Sequence, residues 1–198
     1  MQLATAPKPD VNQAAIEAAV RQILRAIGEN PDREGLVETP RRIAEAYAEL
    51  FGGLGEDAAD LLRVGFDEED HHEMVVLKDI PFHSMCEHHL LPFHGSAHIG
   101  YIPDGRIAGI SKLARLVEVL ARRPQVQERL ASQIVDHLMT GLQAKGAAVV
   151  VEATHLCMTM RGIRKAGSRM VTSATRGIFR DDPRTRSEFF SLIGERSR

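Results

Sequence analysis

The sequence predicts an α+β domain, helices packed on one face of an antiparallel sheet, and three observations carry that prediction. Apolar residues recur at helical spacing in the first third of the chain and again between Ser111 and Leu142. Short alternating or β-branched runs lie between and after them, Ala147–Thr154 being the strongest. The order is therefore helices, strands, two helices, strands.

Residues 1–9 carry two prolines and no periodicity, and read as a flexible amino-terminal arm. Asp10 is positioned to cap a first helix through Ile16, Val20, Ile23, Leu24 and Ile27, with Gly28 as its stop. Thr39-Pro40 reads as N-cap and first-turn proline of a second helix with Ile43, Ala46, Tyr47, Leu50 and Phe51 on one face. A short third helix is expected over Asp57–Arg63, before the acidic turn at 67–70. Residues 10–72 thus form a helical amino-terminal region, and 73–198 the body of the domain. In that body Met74–Ile80, Gly95–Ile102 and Arg106–Ile110 read as strands. Ser111 is expected to open a helix to about Arg123, and Pro124 a second one ending near Gly146. Ala147–Thr154 and Met170–Phe179 follow as strands, and Thr185–Leu192 as a last helix.

Composition narrows the function classes. The 198 residues are 43% hydrophobic, enough for a sizeable core in one domain. Twenty-five basic against 27 acidic residues give a net charge of −2, which argues against a nucleic-acid binder held by backbone phosphates. The longest run free of Asp, Glu, Lys and Arg, His88–Pro103, holds four histidines and two prolines, so no membrane span is expected. The first ten residues lack a secretory pattern, and two cysteines build no disulfide framework. A cytoplasmic location is the expectation.

Histidine distribution is the strongest chemical clue. Five of nine fall between residues 83 and 98: His83, His88, His89, His94 and His98. Among them Cys86-Glu87-His88-His89 offers a thiolate and an imidazole three apart, half of a common zinc spacing. The second cysteine, Cys157, follows His155 at the end of the β-branched strand, and if that strand continues the two share a face. Sulfur and imidazole donors suit zinc rather than magnesium or calcium. A buried cysteine is more often a small hydrophobe, but both cysteines having histidine close by favours a shared site. Spacing leaves two ligand sets open. Two Cys with two His would close a structural site; two Cys with one His would leave a position for activated water and spare histidines for proton transfer.

Two near-matches fail. His71-His72-Glu73 resembles half of a zinc deaminase signature whose other half is absent, and Gly162–Ser168 has P-loop glycines without the closing Lys-Ser/Thr. An anion site is better sought at Gly109–Arg115. There Ser111 could cap a helix while Lys112 and Arg115 place cations where the dipole disfavours them; the competing reading is a solvated basic face. Residues 161–186 hold eight Arg/Lys, Arg161 among them, against two Asp, but one aromatic, Phe179, so no base-stacking platform. Gln127-Glu128 reads most simply as a surface pair, although a carboxylate near a ligand accepts the two parallel N–H bonds of a guanine edge.

Four motifs in order resemble zinc-dependent GTP cyclohydrolase I: Ser84–Phe93 (SMCEHHLLPF), Gly109–Arg115 (GISKLAR), Arg123–Arg129 (RPQVQER) and His155–Gly162 (HLCMTMRG). The match runs from about Gly35 to the carboxyl end, with Thr39-Pro40, Gly177–Phe179 and Glu188-Phe189 also fitting. The resemblance implies zinc ligands at Cys86, His89 and Cys157 and an acid/base pair at His88 and His155. It implies triphosphate contacts at Lys112, Arg115 and Arg161, guanine recognition at Gln127 and Glu128, and a part for Ser111 in a later rearrangement. Glu87 receives no role, and His83, His94 and His98 none. The implied reaction converts GTP to 7,8-dihydroneopterin triphosphate and formate, the first step of pterin synthesis for folate or tetrahydrobiopterin. The implied fold is the tunnelling fold, with residues 73–198 as the catalytic domain. Two stacked pentamers would form a homodecamer with active sites at subunit interfaces, with no nucleic-acid or membrane partner and no regulatory protein specified. Two other readings compete. A related enzyme without zinc would not need both Cys86 and Cys157 beside histidines, and a zinc-stabilised binding module would use all its Cys and His donors as ligands.

Overall fold

The computed structural model describes residues 11–62, 65–67 and 71–194, the segment 65–67 by its backbone. The expected arm, the Asp10 cap and most of the acidic turn lie outside the described residues. The chain divides into two compact units, Met1–Glu56 and Asp57–Arg198.

The first unit holds α1 (Gln13–Ala26) and α2 (Thr39–Leu50), packed on each other and followed by a 3-10 turn at Gly52–Gly55. Asn12 caps α1, its side chain accepting a bond from the Ala15 amide. Thr39 lies inside the first turn of α2 rather than capping it; Glu38 occupies the cap without a side-chain bond, and Pro40 keeps its expected place. Tyr47 and Phe51, one turn apart, meet edge to face at 5.2 Å.

The second unit runs α3 (Ala58–Leu62), β1 (Gly65–Asp67), β2 (Val75–Cys86), β3 (Pro92–Ile102), β4 (Arg106–Ala108), α4 (Ile110–Ala121), β5 (Pro124–Gln125), α5 (Gln127–Leu142), β6 (Gly146–His155), α6 (Leu156–Thr159), β7 (Met170–Gly177), α7 (Ile178–Asp181) and α8 (Pro183–Gly194). Its main sheet has the order β5-β2-β3-β6-β7. Every pairing is antiparallel except the two-residue contact of β5 with β2. β1 and β4 form a separate two-stranded ladder.

Alternation along the strands sorts residues between two faces. Phe82, Phe93, Ala97, Ile99, Tyr101, Val149 and Val151 enter one core with Leu113, Leu116 and Leu120 of α4 and Leu130, Ile134 and Leu138 of α5. Both helices repeat apolar residues at three and four, which gives each a stripe that packs on the sheet face. Each fully buried leucine or isoleucine contributes about 1.5–3 kcal/mol relative to exposure. On the other face Ala148 and Val150 meet Phe179 and Phe189 from the carboxyl-terminal helices in a smaller cluster. β6 is therefore covered on both sides, which explains its unbroken apolar run.

Two further starts differ from expectation. α4 begins at Ile110 with Gly109 as cap, so Ser111 is its second residue and makes no capping bond. Pro124 belongs to β5, and α5 begins at Gln127 and stops where Gln143 turns left-handed at φ 52°.

Candidate metal centre and active site

The site gathers at one end of the main sheet because register brings the ends of five strands there. Cys86 ends β2 and stands opposite Gln125 of β5, Phe93 at the start of β3 faces His155 at the end of β6, and Ala153 faces Met170 at the start of β7. The connection from β2 to β3 is a tight turn. The Cys86 carbonyl accepts bonds from the His89 and Leu90 amides at 3.3 and 2.8 Å, and Leu90 takes a left-handed φ of 50° to close it. That turn swings His89 back over Cys86, with Nδ1 3.8 Å from Sγ.

Cys157 arrives differently from the strand reading. β6 ends at His155, and Cys157 sits in the single turn α6. Its sulfur, that of Cys86 and a His89 ring nitrogen nevertheless all lie within 4.8 Å of one another. Donors placed about 2.0–2.3 Å from a tetrahedral centre are separated by roughly 3.6 Å, so the Cys86–His89 spacing fits a tetrahedral ion. Burial, and then the Cys86 sulfur, push the Cys157 thiol up, so a cation bound there would displace the Cys157 proton. Cys86 is buried, Cys157 half-buried and His89 exposed, which leaves the group open on the His89 side.

The two remaining candidate histidines lie beside this group and do not join it. His88 is exposed, its Nε2 4.0 Å from the Glu87 carboxylate. His155 is half-buried, with Nε2 2.8 Å from Gln127 Oε1 and its ring stacked 4.6 Å from that of Phe93. Burial pushes its imidazole below the usual range, and the nearby Glu128 charge opposes that.

Gln127 and Glu128, adjacent in sequence, part company. Glu128 is exposed in the first turn of α5, and its carboxylate makes no hydrogen bond to a described residue. Gln127 is 1% exposed, and its amide nitrogen donates to the carbonyls of Val151 and Met170 and to Thr172 Oγ1. Arg161 is exposed, with Nη1 3.5 Å from the Cys157 carbonyl. Ser111, Lys112 and Arg115 stand at the start of α4, and their side chains make no hydrogen bond or ion pair to a described residue.

Glu87 and Arg129 are the residues that sequence reasoning left without a role. Arg129 grips the Glu87 carboxylate with both Nη atoms, at 2.5 and 2.9 Å, and reaches Gln125 Oε1. The Glu87 amide donates to the Gln125 carbonyl, so the turn is fastened to β5 and α5 at two points. The Arg129 guanidinium holds the Glu87 carboxyl below the ordinary carboxylate range. Alternation in Gln125-Val126-Gln127 was the available signal, since two polar residues on the inward side of an extended segment need buried partners. His83 and His94 form an exposed cross-strand stack, and His98 accepts a bond from the Asp79 amide at the β2 bulge.

A family model described as GTP cyclohydrolase I matches residues 16–194. The chain belongs to the GTP cyclohydrolase I family. Curated relatives agree across nearly their whole lengths. "GTP cyclohydrolase 1" of Dehalococcoides mccartyi is 62% identical over 184 residues, 92% of this chain and 97% of that protein. "GTP cyclohydrolase 1" of Thermobifida fusca is 61% identical over 185 residues, 92% and 89%. That of Mycolicibacterium gilvum is 58% identical over 192 residues, 96% and 95%. Among solved structures, the archaeosine synthase QueF-Like in the apo form aligns with a TM-score of 0.43 at 20% identity, covering 52% of this chain and 93% of that one. The chain is thus an enzyme, a hydrolase of the GTP cyclohydrolase I type.

Proposed function

We propose that the chain converts GTP to 7,8-dihydroneopterin triphosphate and formate, as the first step of pterin synthesis, with zinc held by Cys86, His89 and Cys157. The observation that carries this reading is the three-donor group with His88 and His155 beside it but outside it. Two sulfurs and one imidazole suit zinc, and a three-ligand set leaves a coordination position free. When bound, the metal supplies Lewis acidity that makes water acidic enough to attack near neutral pH.

The chain's own residues do the rest. His88 and His155 move protons at the purine nitrogens as C8 is hydrated twice, its two C–N bonds break and formate leaves. Glu128 is given the guanine edge, where one carboxylate accepts the parallel N–H bonds of the ring and its amino group. Lys112, Arg115 and Arg161 take the triphosphate, and Ser111 serves the ribose rearrangement before the ring closes with loss of water. Gln127 has both amide hydrogens occupied by Val151, Met170 and Thr172.

Residues 73–198 are assigned the catalytic work and 10–72 a helical flank. We further infer a decamer of two pentamers in the tunnelling-fold manner, with sites completed between subunits. Cations at the start of α4 with no partner among the described residues support that inference. Two free cysteines, and no described helix long and apolar enough to cross a membrane, support a cytoplasmic enzyme.

Incubation of zinc-loaded protein with GTP, followed by mass spectrometry, tests the reading. Formate and the pterin triphosphate are expected in equal amounts. Formate alone would point to a stalled rearrangement at Ser111 or the histidines. Neither product from folded, metal-bound protein would favour a zinc-stabilised binding module.

A further inference from the structure

Gln127 is the first residue of α5, 1% exposed, and every polar atom of its side chain is in use. Its Nε2 lies 2.9 Å from the Val151 carbonyl of β6, 3.0 Å from the Met170 carbonyl of β7 and 3.2 Å from Thr172 Oγ1. Carbonyls only accept hydrogen bonds, so the nitrogen end of the amide must face them; reversing it would set Oε1 against two carbonyl oxygens. The amide is thus indexed to two neighbouring strands. Its Oε1 is left pointing at His155 Nε2, 2.8 Å away.

We propose that Gln127 is a positioning residue that fixes both the orientation of His155 and the nitrogen that carries its hydrogen. An amide oxygen can only accept, so the ring nitrogen facing it carries a hydrogen whatever the charge of the ring. In the neutral imidazole Nδ1 is then the nitrogen with the free lone pair. Rotation of the ring is further limited by Phe93, stacked at 4.6 Å and 3° from parallel. Histidine without such a partner would sample both tautomers and several ring angles, and only a fraction would suit proton transfer.

The arrangement also separates His155 from the metal group. With Nε2 committed to Gln127, the ring is held beside Cys86, His89 and Cys157 rather than among them. The hydrogen bond therefore favours a three-ligand site, which links this inference to the proposed reaction on which its kinetic arm rests.

The test is magic-angle-spinning NMR of zinc-loaded protein with 15N-labelled histidine, the His155 signal being identified by its loss in His155→Asn. The expected result is a single species protonated at Nε2. Gln127→Met, similar in length but without hydrogen bonds, should keep its zinc and show His155 spread over both tautomers. Its kcat for GTP should fall by about 10–100-fold, part of what general acid–base catalysis supplies, with KM changed by less than about threefold. A wild-type ring bare at Nε2 would overturn the proposal. So would an unchanged kcat, or a raised KM at constant kcat, which would return Gln127 to substrate contact. If Gln127→Met fails to fold, or the wild type does not turn over GTP, the wild-type spectrum decides alone.

Discussion

Glu87 lies between Cys86 and His88, and its carboxylate is clamped by Arg129 from α5. Neither residue bears a donor for the metal group, yet the pair sets where the turn carrying His88 and His89 rests. Arg129→Met should leave zinc bound and lower turnover by about 3–10-fold through misplacement of that turn, checked by kcat and metal content. Equal turnover would show the clamp to be idle. A second residue-scale effect concerns pH. Burial pushes the half-buried His137 imidazole below its ordinary value, Arg123 adding to this and Asp57 and Asp136 opposing. The unfolded chain therefore takes up its proton first, near about pH 6.5, and the folded state loses stability as pH falls from there to the lowered native value. Melting temperature should drop between pH 7 and 5.5, and His137→Asn should flatten that slope; an unchanged slope would assign the loss to other groups.

Elements were legible where one periodicity ran undisturbed, and misjudged where a proline or a turn interrupted it. Ala147–Thr154 and the helix through Leu130, Ile134 and Leu138 match β6 and α5 because burial and local preference agree there. β2 was expected to stop at Ile80 but continues through Pro81 to Cys86. At Pro81 the strand pairs on one side only, with β3 at Ser96, so the missing N–H costs no ladder bond. Pro124 was read as a helix start for want of any sign that β5 would pair in parallel with β2. A glycine carries the closest strand approach: a Cβ on Gly95 of β3 would stand 1.8 Å from the Glu152 carbonyl oxygen of β6. Gly95→Ala should therefore destabilise the fold by about 1–3 kcal/mol, read from denaturation midpoints. An unchanged midpoint would mean that the β3–β6 ladder yields more readily than its register suggests.

At the scale of the whole molecule, the sheet joins residues that the sequence keeps far apart. Cys86 and Cys157 meet because β2 and β6 flank β3 and finish at the same end of the sheet, where α5 also begins. That convergence was legible only as chemistry, through cysteines that each keep histidine nearby; no spacing rule could choose three ligands from five candidates. Nor could spacing separate Gln127 from Glu128, which helix geometry sends to the interior and to solvent. The proposed reaction requires Cys86, His89 and Cys157 to bind the metal while His88 stays free for proton transfer. Zinc stoichiometry of His88→Ala beside Cys157→Ala, read together with GTP turnover, tests this most directly. His88→Ala should keep one zinc per chain and lose turnover by about 100-fold or more, while Cys157→Ala should lose the metal. Loss of zinc from both variants would contradict the account and make the site a closed, structural one.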